Sequence, residues 1–502
     1  MKSFRYLLSA WGKKIVNDKY ILILLGISLL VHLISFNLPR EVVFDEVHFG
    51  TFVRSYVTGE NHFDIHPPLG KLFIVATAKL GAIQLPEDLT TIGQTYNARD
   101  LFFLRVFPLL IGIFLPILCY LLMRELTKSQ IAAFIAGLLI VFDNALLVQS
   151  RFAFLDIPLL FFGFASVWMF LLQERASSIK TKFFLLLATG FLFGISYSIK
   201  WTALAMIVPL GLLLWRSFWK DKSFHLLFAK SALILLASLM VYAFGFTIHF
   251  ALLTKPGPGD AYLEQGFREK PFIEKVILLN KAMYSYNKSI STQHPYASRW
   301  NQWPFNQKPI YYWNRVVPEQ EKEQTLQRLQ ELTLEIQSDP QRFTEISQEV
   351  RELQQKIEWW KGNRQIWLVG NPATWFLGIF AVFAGAVLLA LKIITRKPRD
   401  ISAPTLFLLL ASWAASFLPF TPIDRPLFLY HYFFPLLFSL LLAGYIGSWL
   451  ISRFIPKQRI LLSLCIIASV LVAGFLLTAP VSYGWSFDPN EWYHNSILRV
   501  LL

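Results

Sequence analysis

Phe44-Asp45-Glu46-Val47-His48-Phe49-Gly50 sets two adjacent carboxylates and a histidine just after the first long apolar run of the chain. Carboxylates beside lipid are costly unless they face water, a partner or a substrate. Neighbouring residues point to different sides, so the two acids suit different tasks: one as a general base, the other holding a cation or an arginine. A base that takes a proton from a hydroxyl must lie within hydrogen-bond reach of it. The plain structural alternative is an interfacial acid pair capping a helix after the first span.

Other polar groups recur at the edges of apolar runs. In His66-Pro67-Pro68-Leu69-Gly70-Lys71 two prolines stiffen the backbone and present His66 and Lys71 from a defined turn. Lys71 can serve a phosphate as a point charge, or the segment is a turn ahead of an interfacial helix. Arg105 begins the second span. Arg151 and Asp156 flank the start of the fourth, five residues apart, a poor spacing for pairing on one helix. Partners on neighbouring helices are expected for them, as structural ion pairs or as lining of a cavity. Lys200-Trp201 breaks a long apolar stretch, either as a tight turn with a snorkelling pair or as a kink in one helix. The block His294–Pro304, with Trp300 and Trp303, reads as an interfacial aromatic belt or as a wall contacting a sugar or peptide acceptor. Arg425, Tyr430, His431 and Tyr432 gather before and at the start of another run. Arg and Tyr donors beside a lipid-facing groove suit a phosphate whose tail enters the membrane.

The elements that must position these groups follow from hydropathy. Of 502 residues, 55% are hydrophobic and only 16% charged, with 16 Trp and 46 Phe, against about 25% charged in a soluble protein. This is a polytopic membrane protein. The net charge of +15 does not indicate nucleic acid, because the basic residues lie in short loops and form no stripe. Cys119 and Cys465 fall inside apolar runs as buried small residues, without disulfide or metal-ligand spacing. Met1–Lys19 is basic and precedes a run too long for a signal h-region, so the first span is retained.

Apolar runs fall near 20–37, 101–122, 131–149, 154–172, 183–199, 201–215, 226–250, 372–391, 403–419, 427–450 and 460–479. Every second loop is basic: Lys2, Arg5, Lys13, Lys14 and Lys19, then Arg124 and Lys128, then Arg175, Lys180 and Lys182, and so on to Arg453, Lys457 and Arg459. The positive-inside rule then places the N-terminus inside and the alternate loops, 38–100 and 251–371, outside. All the polar clusters fall on that outer side. Within the second loop, Leu326, Leu329, Leu332 and Ile336, then Phe343, Ile346, Val350, Leu353 and Ile357, recur at helical spacing around Ser338-Asp339-Pro340. A helical hairpin is expected over 318–360, as a solvated lid or packing element.

The motifs Phe44–Gly50, His66–Lys71, Arg151-Phe152 through Leu155-Asp156, Ser198-Ile199-Lys200-Trp201 and Leu429-Tyr430-His431-Tyr432 resemble those of the protein O-mannosyltransferases. These are integral-membrane GT-C glycosyltransferases that use polyprenyl-phosphate mannose. The resemblance implies Asp45 as catalytic base and Glu46 as a positioning acid paired with Arg105. It implies Lys71, Arg105, Lys200, Arg425, Tyr430 and His431 as candidates for donor phosphate or lipid. His48, His66, Arg151, Asp156, Trp300 and Trp303 are left to structural or substrate-positioning roles. Eukaryotic members carry a β-trefoil domain in the long outer loop. Here the hairpin stands there and little chain follows the last span, as fits a bacterial member.

The expected fold is all-α, a GT-C membrane protein of about eleven spans in the cell's inner or plasma membrane. It divides into an N-terminal module 1–250, the outer loop 251–371 and C-terminal helices 372–502. The expected reaction moves mannose, with inversion, from the lipid donor to Ser/Thr hydroxyls of a secreted or translocating protein. The alternative is a lipid or glycan acceptor, as for the aminoarabinose transferases that share this architecture. A transporter would need internal symmetry and polar residues at mid-membrane, and neither is found. No ligand spacing demands a metal, although a carboxylate can hold Mg or Mn on a donor phosphate. No feature specifies an oligomeric state.

Overall fold

The structure, a computed structural model, describes residues 18–36, 38–83, 91–95, 97–315, 317, 319–339, 343–360 and 364–486. Lys2, Arg5, Lys13, Lys14, Pro340 and the chain after 486 lie outside the described residues.

Long apolar stretches fold as helices because lipid offers backbone N–H and C=O groups no partner but each other. The chain runs α1 (Lys19–Leu33), the short α2 (Glu46–Thr58) and α3 (Leu69–Leu80), then α4 (Ala98–Thr127). Next come α5 (Gln130–Val141) and α6 (Asn144–Arg151), bent 60° apart. They are followed by α7 (Asp156–Arg175), α8 (Ile179–Tyr197), α9 (Ile207–Asp221) and α10 (Phe224–Leu252). The intervening region holds α11 (Phe272–Ser289), β1 (Ile310–Asn314), α12 (Glu319–Ser338), α13 (Phe343–Trp360) and β2 (Gln365–Leu368). The chain closes with α14 (Pro372–Thr395), α15 (Ala403–Phe417), α16 (Phe433–Phe454) and α17 (Ile460–Tyr483).

Among the described residues nine helices are long and apolar enough to cross a membrane, and the bent α5–α6 pair makes a tenth candidate. At 15 residues α1 is shorter than the roughly 20 a perpendicular span needs. The eleven apolar runs thus map onto nine single helices, one broken pair and one short helix. The junction at Lys200 is a turn: α8 stops at Tyr197, Lys200 is extended (φ −147°, ψ 142°), and a 3-10 turn from Trp201 leads into α9.

Helices α4, α5, α7 and α16 form the buried centre, with α16 against α5, α14 and α15, and α7 against α4 and α8. Close contact of α16 with α5 depends on Gly444, where an added Cβ would come within 2.8 Å of the Ala132 carbonyl. Helices α10, α14 and α17 turn apolar side chains such as Met240, Phe244, Phe380, Phe383 and Leu461 outward, as lipid-facing helices do. Cys119 is buried, but Cys465 is exposed on α17, because that helix packs inward by another face.

Strands β1 and β2 pair antiparallel, Ile310 with Leu368 and Asn314 with Gln365, with a bulge between Tyr311 and Trp313. Helices α12 and α13 rise from this ribbon and join through exposed pairs, Arg328–Glu349 (2.9 Å) and Lys356–Glu321 (3.1 Å). This is the helical hairpin expected from the apolar spacing.

Candidate active site

Asp45 takes the N-cap position of α2 in a helical conformation (φ −72°, ψ −14°), and its side chain makes no capping hydrogen bond. The capping role open to the pair is therefore not filled. Among the described residues the Asp45 carboxylate has neither a hydrogen bond nor an ion pair. Burial pushes its pKa up to about 6, against the pull of His48 and Lys200 and with a further rise from Asp156. Such a carboxylate is ionised at neutral pH yet holds a proton about a hundredfold more tightly than free Asp.

Glu46, about 100° further round the helix, is the opposite case. It is buried and receives Arg105 in a bidentate grip, Nε to Oε1 at 2.7 Å and Nη2 to Oε2 at 2.6 Å. The backbone N–H groups of Val43 (3.1 Å) and Ala153 (2.9 Å) also donate to it. Arg105 spends its remaining donors on the carbonyls of Pro39 and Glu41, both at 2.8 Å. This network ties the segment before α2 to α4 and to the α6–α7 break, and so fixes where Asp45 points. The bulge of β1 adds a second tie. Tyr312 accepts the Phe44 N–H at its carbonyl (3.0 Å) and the Gln149 side chain at its hydroxyl (2.8 Å). Burial first, and then the charge of Asp45, raise the Tyr312 hydroxyl well above its ordinary pKa.

A cavity of about 310 Å³ adjoins this edge, with polar walls from His66, Asp156, Lys200, Arg425, Tyr430 and His431. Asp45 does not line it. Its charge acts on Lys200 and Asp156, which do, and Phe44 packs on the ring of His294 in the cavity wall (5.5 Å). The Lys200 ammonium sits between both Asp156 oxygens (2.9 and 3.0 Å) and over the Tyr430 ring (5.2 Å). Arg425 is half-buried, has no acidic partner among the described residues and reaches only the Pro426 carbonyl (3.3 Å). It is therefore the cavity's cation with charge to spare, whereas Asp156 already offsets Lys200. Burial drives His66 down to a pKa of about 3, leaving a neutral imidazole with one donor and one acceptor.

Several sequence-derived candidates are not brought here. Arg105 is saturated by Glu46 and carbonyls and is 1% exposed, so it cannot hold a phosphate. Lys71 is equally enclosed: it pairs with Asp64 and donates to the carbonyls of His66 (3.0 Å) and Pro67 (3.3 Å). Arg151 finds carbonyls where carboxylates were expected, at Ser482 (2.7 Å), Ser35 and Leu38 (3.3 Å), and lies over the Tyr483 ring (4.7 Å). These three corrections share one cause: a buried cation must be met by oxygens from the protein itself. Trp303 is fully buried, donates to Ser298 Oγ (2.8 Å) and lies parallel to His431 (5.8 Å). It stands behind His431 and does not line the cavity. Trp300 packs edge-on to Phe417 (5.7 Å) and does not line the cavity. His48 is exposed beside Asp45.

Asp64, Glu41 and Tyr312 were not singled out from sequence. Glu41 accepts from Arg315 and from Trp313 Nε1 (2.8 Å), linking the approach to Asp45 with β1. Only the alternation His62-Phe63-Asp64-Ile65-His66 carried a signal for Asp64. Among the described residues no three His, Cys, Asp or Glu side chains converge as a metal site. The arrangement is a lone, proton-avid carboxylate held near a cavity that presents a free guanidinium, an ammonium, a phenol and two imidazoles.

The family model for dolichyl-phosphate-mannose-protein mannosyltransferase matches residues 22–254, and that for the C-terminal four-helix membrane region of protein O-mannosyltransferase matches 272–500. Dolichyl-phosphate-mannose–protein mannosyltransferase 1 of Candida albicans is 33% identical over 49% of this chain and 29% of its own length. Its Saccharomyces cerevisiae counterpart is 35% identical over 46% of this chain and 30% of its own. The matched region thus spans under a third of those relatives. The S. cerevisiae protein O-mannosyltransferase Pmt1-Pmt2 complex, solved bound to the sugar donor, shares the fold with a TM-score of 0.80 at 18% identity, over 96% of this chain and 92% of that one.

Proposed function

The chain belongs to the protein O-mannosyltransferase family, and from that premise we propose that it transfers mannose from a polyprenyl-phosphate-mannose to Ser or Thr hydroxyls of protein acceptors, on the extracytoplasmic side of the membrane. The observation that carries the reading is the separation of tasks beside the cavity. Among the described residues Asp45 has no partner, and its pKa is raised, while Glu46 and Asp156 are paired.

In this mechanism the acceptor Oγ attacks the anomeric carbon from the face opposite the phosphate. The new C–O bond forms as the bond to the phosphate oxygen breaks, and its electron pair leaves with the phosphate. The Oγ proton passes to Asp45, which later releases it to water. Arg425, then Lys200 and the Tyr430 hydroxyl, meet the charge that grows on the phosphate, the point where preorganised donors lower the barrier most. Glu46 and Arg105 hold Asp45 in place and exchange no proton. The alternation of basic loops supports the assignment of the cavity to the extracytoplasmic side.

The test is transfer by the purified chain in proteoliposomes, from polyprenyl-phosphate-[³H]mannose to a panel of Ser/Thr peptides and glycolipids. Labelled peptide whose mannose has the anomeric configuration opposite to that of the donor is expected. Label confined to glycolipid would instead assign the chain to a lipid-acceptor branch of the same chemistry.

A further inference from the structure

A second cavity, of about 210 Å³, lies on the far side of His62 from the candidate active site. Phe250 and Thr254 close it from the end of α10, Leu263 and Arg268 from the following loop, and Lys275 and Leu279 from α11. Its size is far above the roughly 10–15 Å³ that admits one water. The floor is apolar, the rim carries two cations, and no acid lines it. Arg268 is partly spent on Asp260 (3.0 Å) and on the carbonyls of Thr254 and Lys255 (2.6 Å to the latter). Lys275 makes no ion pair among the described residues and rests over the Phe250 ring (5.1 Å).

An apolar cavity bordered by two cations, with no acid among its lining residues, suits an anion that carries apolar groups.

Helix α11 says which kind. Leu279 and Met283 bury one face against Phe246 and Phe267. On the opposite face Ile273, Ile277 and Tyr284 are 71%, 49% and 61% exposed, with Lys281 and Lys288 beside them. Met240 and Phe244 on the spanning α10 are likewise exposed. A helix of that pattern lies in the plane of the membrane interface with its cations at headgroup level.

We propose that the cavity binds the phosphodiester headgroup of an anionic glycerophospholipid. Lys275 and Arg268 meet the phosphate, and the acyl chains run down the apolar face of α10. The site is separate from the transferase cavity and does not depend on the reading of that cavity.

The test uses the purified full chain in neutral detergent, with native mass spectrometry and thermal shift, titrated with phosphatidylglycerol, phosphatidylcholine or inorganic phosphate. Phosphatidylglycerol is expected to bind about tenfold or more tightly than phosphatidylcholine, which has the same phosphate but adds a choline cation that Lys275 and Arg268 repel. That preference is lost in Lys275→Glu, and in Leu263→Trp, which fills the cavity without changing charge. It survives in Lys281→Glu, which makes the same charge change on the same helix outside the cavity. Equal loss in all three variants would mean diffuse surface attraction, and retention in the first two would place the lipid elsewhere. Equal protection by inorganic phosphate would mean a free anion. Any of these results overturns the proposal.

Discussion

Lowering the pH from 7 to 5 tests Asp45 directly. A base acts only when ionised, and with a pKa of about 6 the Asp45 carboxylate is about 90% ionised at pH 7 and about 10% at pH 5. The specificity constant for donor should therefore fall about tenfold across that interval. An Asp of ordinary pKa would stay about 90% ionised at pH 5 and produce almost no change. A phosphodiester donor does not titrate in this range, so the fall reports the protein. The bound donor adds negative charge near Asp45, so the limb for kcat should lie at higher pH than the limb for kcat/KM. The assay is initial-rate mannosyl transfer to a Ser/Thr peptide in proteoliposomes, with donor far below KM for one profile and saturating for the other. Asp45→Asn, which cannot take the proton, should lose about 10²–10⁴ in rate and leave a residue without the acidic limb. A profile flat from pH 5 to 7, or an Asp45→Asn protein with the same limb and normal turnover, would refute the assignment. The linked effect on stability has a definite sign. The folded state holds this proton more tightly than the unfolded chain does. The contribution is thus full below about pH 4 and is lost as pH rises through about 6, an amount of about 1–3 kcal/mol.

Other outcomes follow from the same geometry. Arg425→Ala removes the cavity cation that has no acidic partner among the described residues and should raise KM for donor about 10- to 100-fold with the melting midpoint unchanged; Arg425→Lys should recover part of it. Unaltered donor affinity in Arg425→Ala would move the phosphate elsewhere. Arg105→Met leaves Glu46 buried without its counter-charge and should cost about 3–5 kcal/mol of stability, read as a lower melting midpoint that Glu46→Gln partly restores in the double variant. An unchanged midpoint in Arg105→Met would mean that the pair carries no structural weight. Replacing 316–363 by an Asn-Gly turn joins Arg315 to Arg364, where the Arg315 N–H already donates to the Arg364 carbonyl (3.0 Å), and keeps the Arg315–Glu41 pair. Transfer to a short peptide should survive this, whereas loss of donor binding would make α12 and α13 part of the site.

Hydropathy, loop charge and motif spacing were enough to read an α-helical membrane protein, the α12–α13 hairpin and the acid pair beside α2, and left the Lys200 junction open between a turn and a kink. They suffice because lipid forces backbone hydrogen bonds inside each segment, so each span is legible by itself. What stayed out of reach was which of many cations is free. Lys71, Arg105, Lys200 and Arg425 are alike as letters, each at the edge of an apolar run. Their difference lies in partners far away in the chain or on another element. Glu46 saturates Arg105, Asp64 and two carbonyls enclose Lys71, Asp156 meets Lys200, and among the described residues no acid meets Arg425. The same holds for the two acids of the opening pair. Adjacent in sequence and equal in chemistry, they part only because Arg105, Val43 and Ala153 converge on Glu46 and leave Asp45 with the cavity. The charge state and use of a buried group depend on what the tertiary structure places within a few ångströms of it, and that distance is not written in the local sequence.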